Sequence, residues 1–92
     1  MSELPGSVRP AIAHGTRLQW EAAQDSHVLL YPEGMVKLNG TAAAILTRCD
    51  GARTLDEIVA DLERTYAASG LMGDVQSFVY FALEKRWLEL RA

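Results

Sequence analysis

A chain of 92 residues is long enough for one compact domain and too short for two. Its composition, 49% hydrophobic and 23% charged, is that of a folded soluble protein. The net charge is −3 and the nine basic residues are scattered, whereas a nucleic-acid binder gathers Lys and Arg on one face. The longest apolar run, residues 78–83, is shorter than the ~20 residues of a membrane span. The sequence therefore predicts one domain with no nucleic-acid and no membrane partner.

The first fifteen residues contain two prolines and two glycines among small residues and have no sustained hydrophobic period. They also lack the basic and apolar regions of a secretory signal. Such a composition is typical of a mobile terminal segment. We predict a flexible N-terminal arm over residues 1–15, a single domain over residues 16–90, and a cytoplasmic location, which the lone cysteine also favours.

Three short extended segments follow the arm. Apolar and polar residues alternate over residues 16–22, and residues 27–31 form a β-branched, aliphatic and aromatic run. After the turn sequence Pro-Glu-Gly, residues 35–39 alternate again, with Val36 and Leu38 on one face. Short turns between the segments predict an antiparallel meander of three strands.

Two helical segments come next. Residues 42–49 are predicted to form a short helix with Asn39 or Thr41 as its N-cap. A second helix begins directly after Thr54, which forms a capping box with Glu57 in the first turn of the helix. Its apolar stripe comprises Leu55, Ile58, Val59, Leu62 and Tyr66.

The third predicted helix runs from about residue 75 to about residue 88, with Asp74 as its cap, and is apolar around most of its circumference. A surface helix of a small domain needs about a third of its circumference for the core. The surplus is a candidate contact surface. Phe78 and Phe81 are either core or contact residues, and Lys85 follows Phe81 by one turn.

The order of elements predicts an α+β fold that is winged helix-turn-helix-like, with a three-stranded antiparallel sheet followed by three helices. Many winged-helix domains bind DNA through the start of the third helix. Here that start carries an acid, an amide and two hydrophobic residues, and the basic pair Lys85-Arg86 lies at the opposite end. This arrangement disfavours DNA binding.

Residues with catalytic or metal-binding chemistry do not cluster in the sequence. His14, His27 and Cys49 have no metal-ligand spacing. Cys49 has no visible base or pKa-lowering neighbour, so we predict a small buried hydrophobic residue. No glycine-rich phosphate loop is present. The sequence predicts a protein that is not an enzyme and carries no metal or cofactor.

The predicted sheet offers a different kind of site. The outer strand of a three-stranded meander leaves a row of unpaired N–H and C=O groups. A peptide added as a further strand satisfies that row, while its alternate side chains enter a neighbouring apolar groove. This predicts a peptide-binding module. The alternative is a structural or regulatory homodimer that pairs the same edge with itself.

Several stretches form a recognisable pattern: Tyr-Pro-Glu-Gly-Met-Val-Lys-Leu-Asn at 31–39, 43–46, Cys-Asp-Gly at 49–51, 54–59, and Trp-Leu at 87–88. Together they resemble the PqqD family, the peptide chaperones of pyrroloquinoline quinone biosynthesis and the namesake of leader-peptide recognition domains. The resemblance covers about residues 17–90, and none of its motifs is catalytic. Family members often carry Gly before the Trp, where this chain has Arg86. The third helix therefore either stops before Arg86 or runs on through Trp87.

The resemblance implies a winged helix-turn-helix-like fold that binds the precursor peptide PqqA. It also implies that the peptide is presented to the radical SAM enzyme PqqE, which cross-links a Glu and a Tyr of the peptide. By similarity, the peptide lies as an added strand between a sheet edge and the third helix. The peptide-binding residues are then Met35, Val36, Lys37, Leu38 and Asn39 on the strand, and Phe78, Phe81 and Lys85 on the helix.

Overall fold

The computed structural model describes residues 4–91, which form an α+β fold of antiparallel sheets and three helices. A 3₁₀ turn, Ala22–Gln24, separates the second and third strands. The strands are β1 (Arg9–Ile12), β2 (Arg17–Glu21), β3 (Ser26–Tyr31), β4 (Gly34–Lys37) and β5 (Leu88–Arg91), and the helices are α1 (Gly40–Leu46), α2 (Leu55–Thr65) and α3 (Met72–Glu84).

The predicted three-stranded meander is confirmed. Its strands lie in the order β2-β3-β4, and every neighbouring pair is antiparallel. Leu18, Leu29 and Val36 lie opposite one another across the three strands, and all three pack on the hydrophobic core. Because side chains alternate between the faces of a sheet, this row directs one face of the meander against the helices.

A second, two-stranded sheet pairs β1 with β5 at opposite ends of the described chain. The prediction of a flexible arm is therefore wrong for residues 9–12, and the predicted order of strands followed by helices is broken by β5, which comes after α3. Pro10 has no N–H, yet it fits here because its carbonyl accepts from the Gly51 N–H (3.0 Å) on the side away from β5. Ala11 is buried beside it.

The caps of α1 and α2 follow the predicted chemistry. Asn39 is the N-cap of α1, since its Oδ1 accepts from the Ala42 N–H at 2.8 Å. The capping box of α2 is complete: the Glu57 N–H donates to Thr54 Oγ1 (3.2 Å), and the Thr54 N–H donates to Glu57 Oε1 (2.8 Å). Helix α1 ends at Leu46, three residues before its predicted end.

The apolar stripe of α2 is buried except at its end. Leu55, Ile58, Val59 and Leu62 belong to the core, as predicted. Tyr66 is 59% exposed, and its assignment to the core stripe is wrong. The reason is that α2 ends at Thr65, so Tyr66 lies at the C-cap with a backbone that no longer follows the helix.

Helix α3 starts earlier and stops earlier than its sequence pattern predicts. It begins at Met72, before Asp74, which makes no capping hydrogen bond. It ends at Glu84 because Arg86 takes a left-handed conformation with φ of 65°. The Arg86 N–H donates to the Leu83 carbonyl and the Trp87 N–H to the Ala82 carbonyl, which is a Schellman cap. The helix therefore stops before Arg86, and the predicted extension to residue 88 is wrong.

The core lies where the inner face of the meander, the three helices and β5 meet. Its buried side chains include Leu29, Leu46, Leu55, Ile58 and Val79, each at most 1% exposed. Trp87, directly after the cap of α3, is also part of this cluster. Among the helices within residues 4–91, none has both the length and the apolar character needed to cross a membrane.

Candidate functional site

Strand β4 is an edge strand whose outer side has no partner strand within residues 4–91. The Leu38 N–H donates to the His27 carbonyl at 3.0 Å, which fixes the hydrogen-bonding phase of the β3–β4 ladder. Antiparallel pairs alternate between hydrogen-bonded and non-hydrogen-bonded positions. The main-chain N–H and C=O groups of Met35 and Lys37 therefore face away from β3 and form the outer edge.

The side chains of the predicted binding strand divide between the core and the solvent. Val36 is half-buried against the core, and Leu38 is buried within it. Met35 is 60% exposed and Lys37 is exposed as well. Asn39 caps α1 with its side chain. The inward residues hold the strand in place, so the edge offers main-chain groups together with the exposed side chains of Met35 and Lys37.

A largely apolar groove of about 570 Å³ opens next to the end of β4. It lies between the start of α1, the end of α2 and the start of α3. Of the predicted site residues, Asn39 and Phe78 line it. The full lining is Asn39, Gly40, Thr41, Ala42, Ala44, Ile45, Leu62, Tyr66, Ala68, Leu71, Asp74, Val75 and Phe78.

The sequence prediction missed the wall of the groove that the end of α2 contributes. Tyr66 has the spacing of a core residue, and only the end of the helix at Thr65 turns it outward. Leu71 was missed because it lies in the segment between two predicted helices. The signal in the sequence was indirect: α3 carries more apolar surface than its own core contacts need.

A row of aromatic rings connects α3 to the start of β4. The ring centroids of Phe78 and Phe81 are 6.3 Å apart, and those of Phe81 and Trp87 are 5.5 Å apart in a nearly perpendicular arrangement. Trp87 in turn lies 5.9 Å from Tyr31, which is opposite Gly34 in the β3–β4 ladder. The row thus extends from Phe78 in the groove to Tyr31, at the end of the β3–β4 ladder at which Gly34 lies.

Phe81 and Lys85, predicted as neighbours on one flank of α3, are in contact. The Lys85 Nζ lies 5.6 Å from the centroid of the Phe81 ring, within the range of a cation–π interaction. Phe81 is 46% exposed, whereas Phe78 is half-buried and packs on the core. Phe78 therefore packs on the core and also lines the groove, whereas Phe81 stands mostly outside the core.

Cys49, the single cysteine of the sequence, is not among the residues that line the groove. Cys49 is buried, its Sγ contacts the Ile45 carbonyl at 3.3 Å, and burial raises the pKa of its thiol to about 12. A thiol with that pKa remains protonated at neutral pH and is a poor nucleophile. The prediction of a small buried residue at this position is confirmed. Within residues 4–91, His, Cys, Asp and Glu side chains form no cluster of three that could hold a metal ion.

Comparison with known proteins shows which family this sequence matches. Residues 26–88 match the family described as Coenzyme PQQ synthesis protein D (PqqD). A protein of Stutzerimonas stutzeri named PqqA binding protein is 52% identical over 92 residues, covering 99% of this chain and 100% of the relative. A second protein of that name, from Kluyvera intermedia, is 51% identical and covers 92% of this chain and 94% of the relative.

A solved structure extends the likeness to the fold. The solution NMR structure of the PqqD truncation of Methylobacterium extorquens PqqCD matches with a TM-score of 0.69 and 33% sequence identity. The match covers 92% of this chain and 93% of the other. That truncation is described as a functional, stand-alone recognition element for ribosomally synthesized and post-translationally modified peptides.

Proposed function

This chain belongs to the PqqD family, and we propose that it is a peptide chaperone that binds the precursor peptide PqqA and presents it to the radical SAM enzyme PqqE. The names of the curated relatives support the choice of peptide. In this proposal the chain contributes binding and no catalytic residue, and it uses no cofactor.

The observation that carries the proposal is the free edge of β4 next to an apolar groove. In the proposed complex, PqqA adds a strand to this edge and pairs with the outward main-chain groups of Met35 and Lys37. Apolar side chains of the peptide then enter the groove at Phe78, and the exposed ring of Phe81, 6.3 Å from that of Phe78, extends the apolar surface along α3. In the same proposal Lys85, whose Nζ lies 5.6 Å from the centroid of the Phe81 ring, pairs with an acidic group of the peptide.

The energies explain why the edge and the groove are both needed. Four main-chain hydrogen bonds at a net ~1 kcal/mol each contribute ~4 kcal/mol. Micromolar affinity requires ~8 kcal/mol after the entropy of ordering the peptide has been offset. Burial of two or three apolar peptide side chains at ~1.5–3 kcal/mol each supplies the remainder. An edge without the groove would bind too weakly.

The experiment is a titration of the ¹⁵N-labelled protein with PqqA, followed through its amide NMR spectrum. We expect the largest shifts at Met35, Lys37, Phe78 and Phe81, and small shifts on β2 at the opposite edge of the sheet. A PqqA peptide of scrambled sequence is the control. Shifts confined to other surfaces, or none at all, would overturn strand addition at β4.

Two further measurements separate the chaperone from the homodimer. A homodimer formed through β4 predicts that the amide shifts of Met35 and Lys37 depend on protein concentration when no peptide is present. For the chaperone, the rate at which PqqE cross-links PqqA should rise when this protein is added. An unchanged PqqE rate, with PqqA bound, would leave peptide binding in place and refute presentation to the enzyme.

A further inference from the structure

One hydrogen-bond donor of the aromatic row is buried and has no acceptor within residues 4–91. Trp87 is only 8% exposed, and its indole Nε1 has no hydrogen-bond partner among residues 4–91. Buried tryptophan N–H groups usually find an acceptor, because water no longer solvates them. An unsatisfied indole in a cluster that is otherwise packed on the core points to a partner outside this chain.

The backbone holds this indole firmly in its place. The Trp87 N–H donates to the Ala82 carbonyl at 2.9 Å, and the Trp87 carbonyl accepts from the Ala13 N–H at 2.9 Å. The ring lies against Tyr31, whose residue is opposite Gly34 at the start of β4. These contacts hold the indole near the end of the β3–β4 ladder at which Gly34 lies, the ladder whose outer strand the proposed peptide joins.

Phe81 is the side chain that can give access to the indole. Its ring stands nearly perpendicular to that of Trp87, at an angle of 86°, and is 46% exposed. Phe81 lies outside the buried core cluster, so a rotation of its side chain would break its contact with Trp87 but no contact between two buried core residues. A ligand that displaces this ring from Trp87 would reach the indole without unfolding any element.

The geometry of an added strand indicates which ligand group needs such a donor. In a peptide paired with β4, the carbonyls of alternate residues point toward β4 and the intervening carbonyls point to the opposite side. A carbonyl that is buried against α3 loses water and requires a replacement donor. The orphaned indole N–H supplies one donor, at one place along the peptide.

We propose that the Trp87 indole N–H donates a hydrogen bond to a main-chain carbonyl oxygen of the bound peptide, with Phe81 turning aside to admit it. This contact fixes the register of the peptide along β4, because the indole meets one peptide residue only. The inference rests on the proposed function, since it assumes an extended peptide on that edge.

The test uses the two indole N–H resonances of the full chain, which has two tryptophans. On addition of PqqA, the Trp87 indole proton should move downfield and exchange more slowly with solvent. Trp20, which is 50% exposed on β2, is the internal control and should stay in place. A Trp87→Phe variant identifies the resonance and should bind PqqA about tenfold more weakly, the usual effect of one lost hydrogen bond.

The outcomes separate this inference from the proposed function. If PqqA does not bind the wild-type chain, the proposed function itself fails. If PqqA binds while the Trp87 indole neither shifts nor gains protection, the inference fails and peptide binding stands. Equal affinity of a folded Trp87→Phe variant would also overturn it. Where a thermal melt shows that this variant is unfolded, the wild-type indole exchange decides the question.

Discussion

Replacement of Arg86 by glycine tests whether the end of α3 stores backbone strain. Arg86 has φ of 65°, a conformation that costs an L-residue about 1–2 kcal/mol and glycine almost nothing. The Arg86 side chain is exposed and makes no hydrogen bond or ion pair with residues 4–91, so its loss removes no contact of that kind. Glycine also lowers the stability by about 0.4–1 kcal/mol, because it increases the conformational entropy of the unfolded chain, and this offsets part of the relieved strain.

The expected net effect of Arg86→Gly is a stabilisation of about 0.5–1 kcal/mol. For a domain of this size, that corresponds to an increase in melting temperature of roughly 2–8 °C in a thermal melt followed by circular dichroism. The matched control is Lys85→Gly at the preceding residue, where φ is −79° and glycine relieves no strain. Lys85→Gly should be destabilising by up to about 1 kcal/mol. A loss of stability in Arg86→Gly, or the same sign of change in both variants, would refute the strain argument.

Two further predictions concern the proposed peptide site, and a third concerns the ion pair between Arg48 and Asp61. Phe81→Ala should weaken PqqA binding by about 1–3 kcal/mol in calorimetric titration, as expected for an aromatic anchor. Its thermal melt should change little, because Phe81 is exposed, whereas Leu62→Ala in the core should cost ~2–5 kcal/mol of folding stability. Lys37→Ala should weaken PqqA binding by less than ~2 kcal/mol, because β4 is proposed to act mainly through its backbone, and a larger loss would indicate a specific side-chain contact. The hydrogen bond from Arg48 lowers the pKa of Asp61 below its ordinary value. The ionised Asp61 therefore stabilises the folded protein at pH values above the ordinary pKa of Asp, and this stabilisation is lost as pH falls through the folded-state pKa. Asp61→Asn should be less stable than the parent protein in urea unfolding at pH 7, and the difference in stability should shrink in acid.

Local patterns in the sequence were sufficient for the elements whose stabilising groups are near in the chain. Thr54 and Glu57 are three residues apart, and both hydrogen bonds of their capping box form as predicted. The meander followed from period-two alternation and a short turn, since each strand pairs with its neighbour in sequence. In these cases the residue to which each one hydrogen-bonds or pairs lies nearby in the sequence.

Features that depend on distant partners were not predictable in the same way. Strand β1 has no pattern of its own, and it forms because Ile12 pairs with Leu88 on one side while its N–H donates to the Cys49 carbonyl on the other. The exposure of Tyr66 depends on where α2 ends, which hydrophobic spacing does not determine. The sequence predicted a free strand edge and surplus apolar surface on α3, but the groove near them is also lined by the start of α1 and the end of α2.

The pairing of β1 with β5 joins the two paired strands that lie farthest apart in the described chain. Each strand of the meander, in contrast, pairs with its neighbour in sequence and closes only a short loop. Without Leu88–Arg91, β1 would be held on one side only, by the segment around Asp50. Closing so long a loop is a slow step compared with local contacts. A variant truncated before residue 88 would therefore leave β1 without its partner strand, and Trp87 would lose the strand that directly follows it.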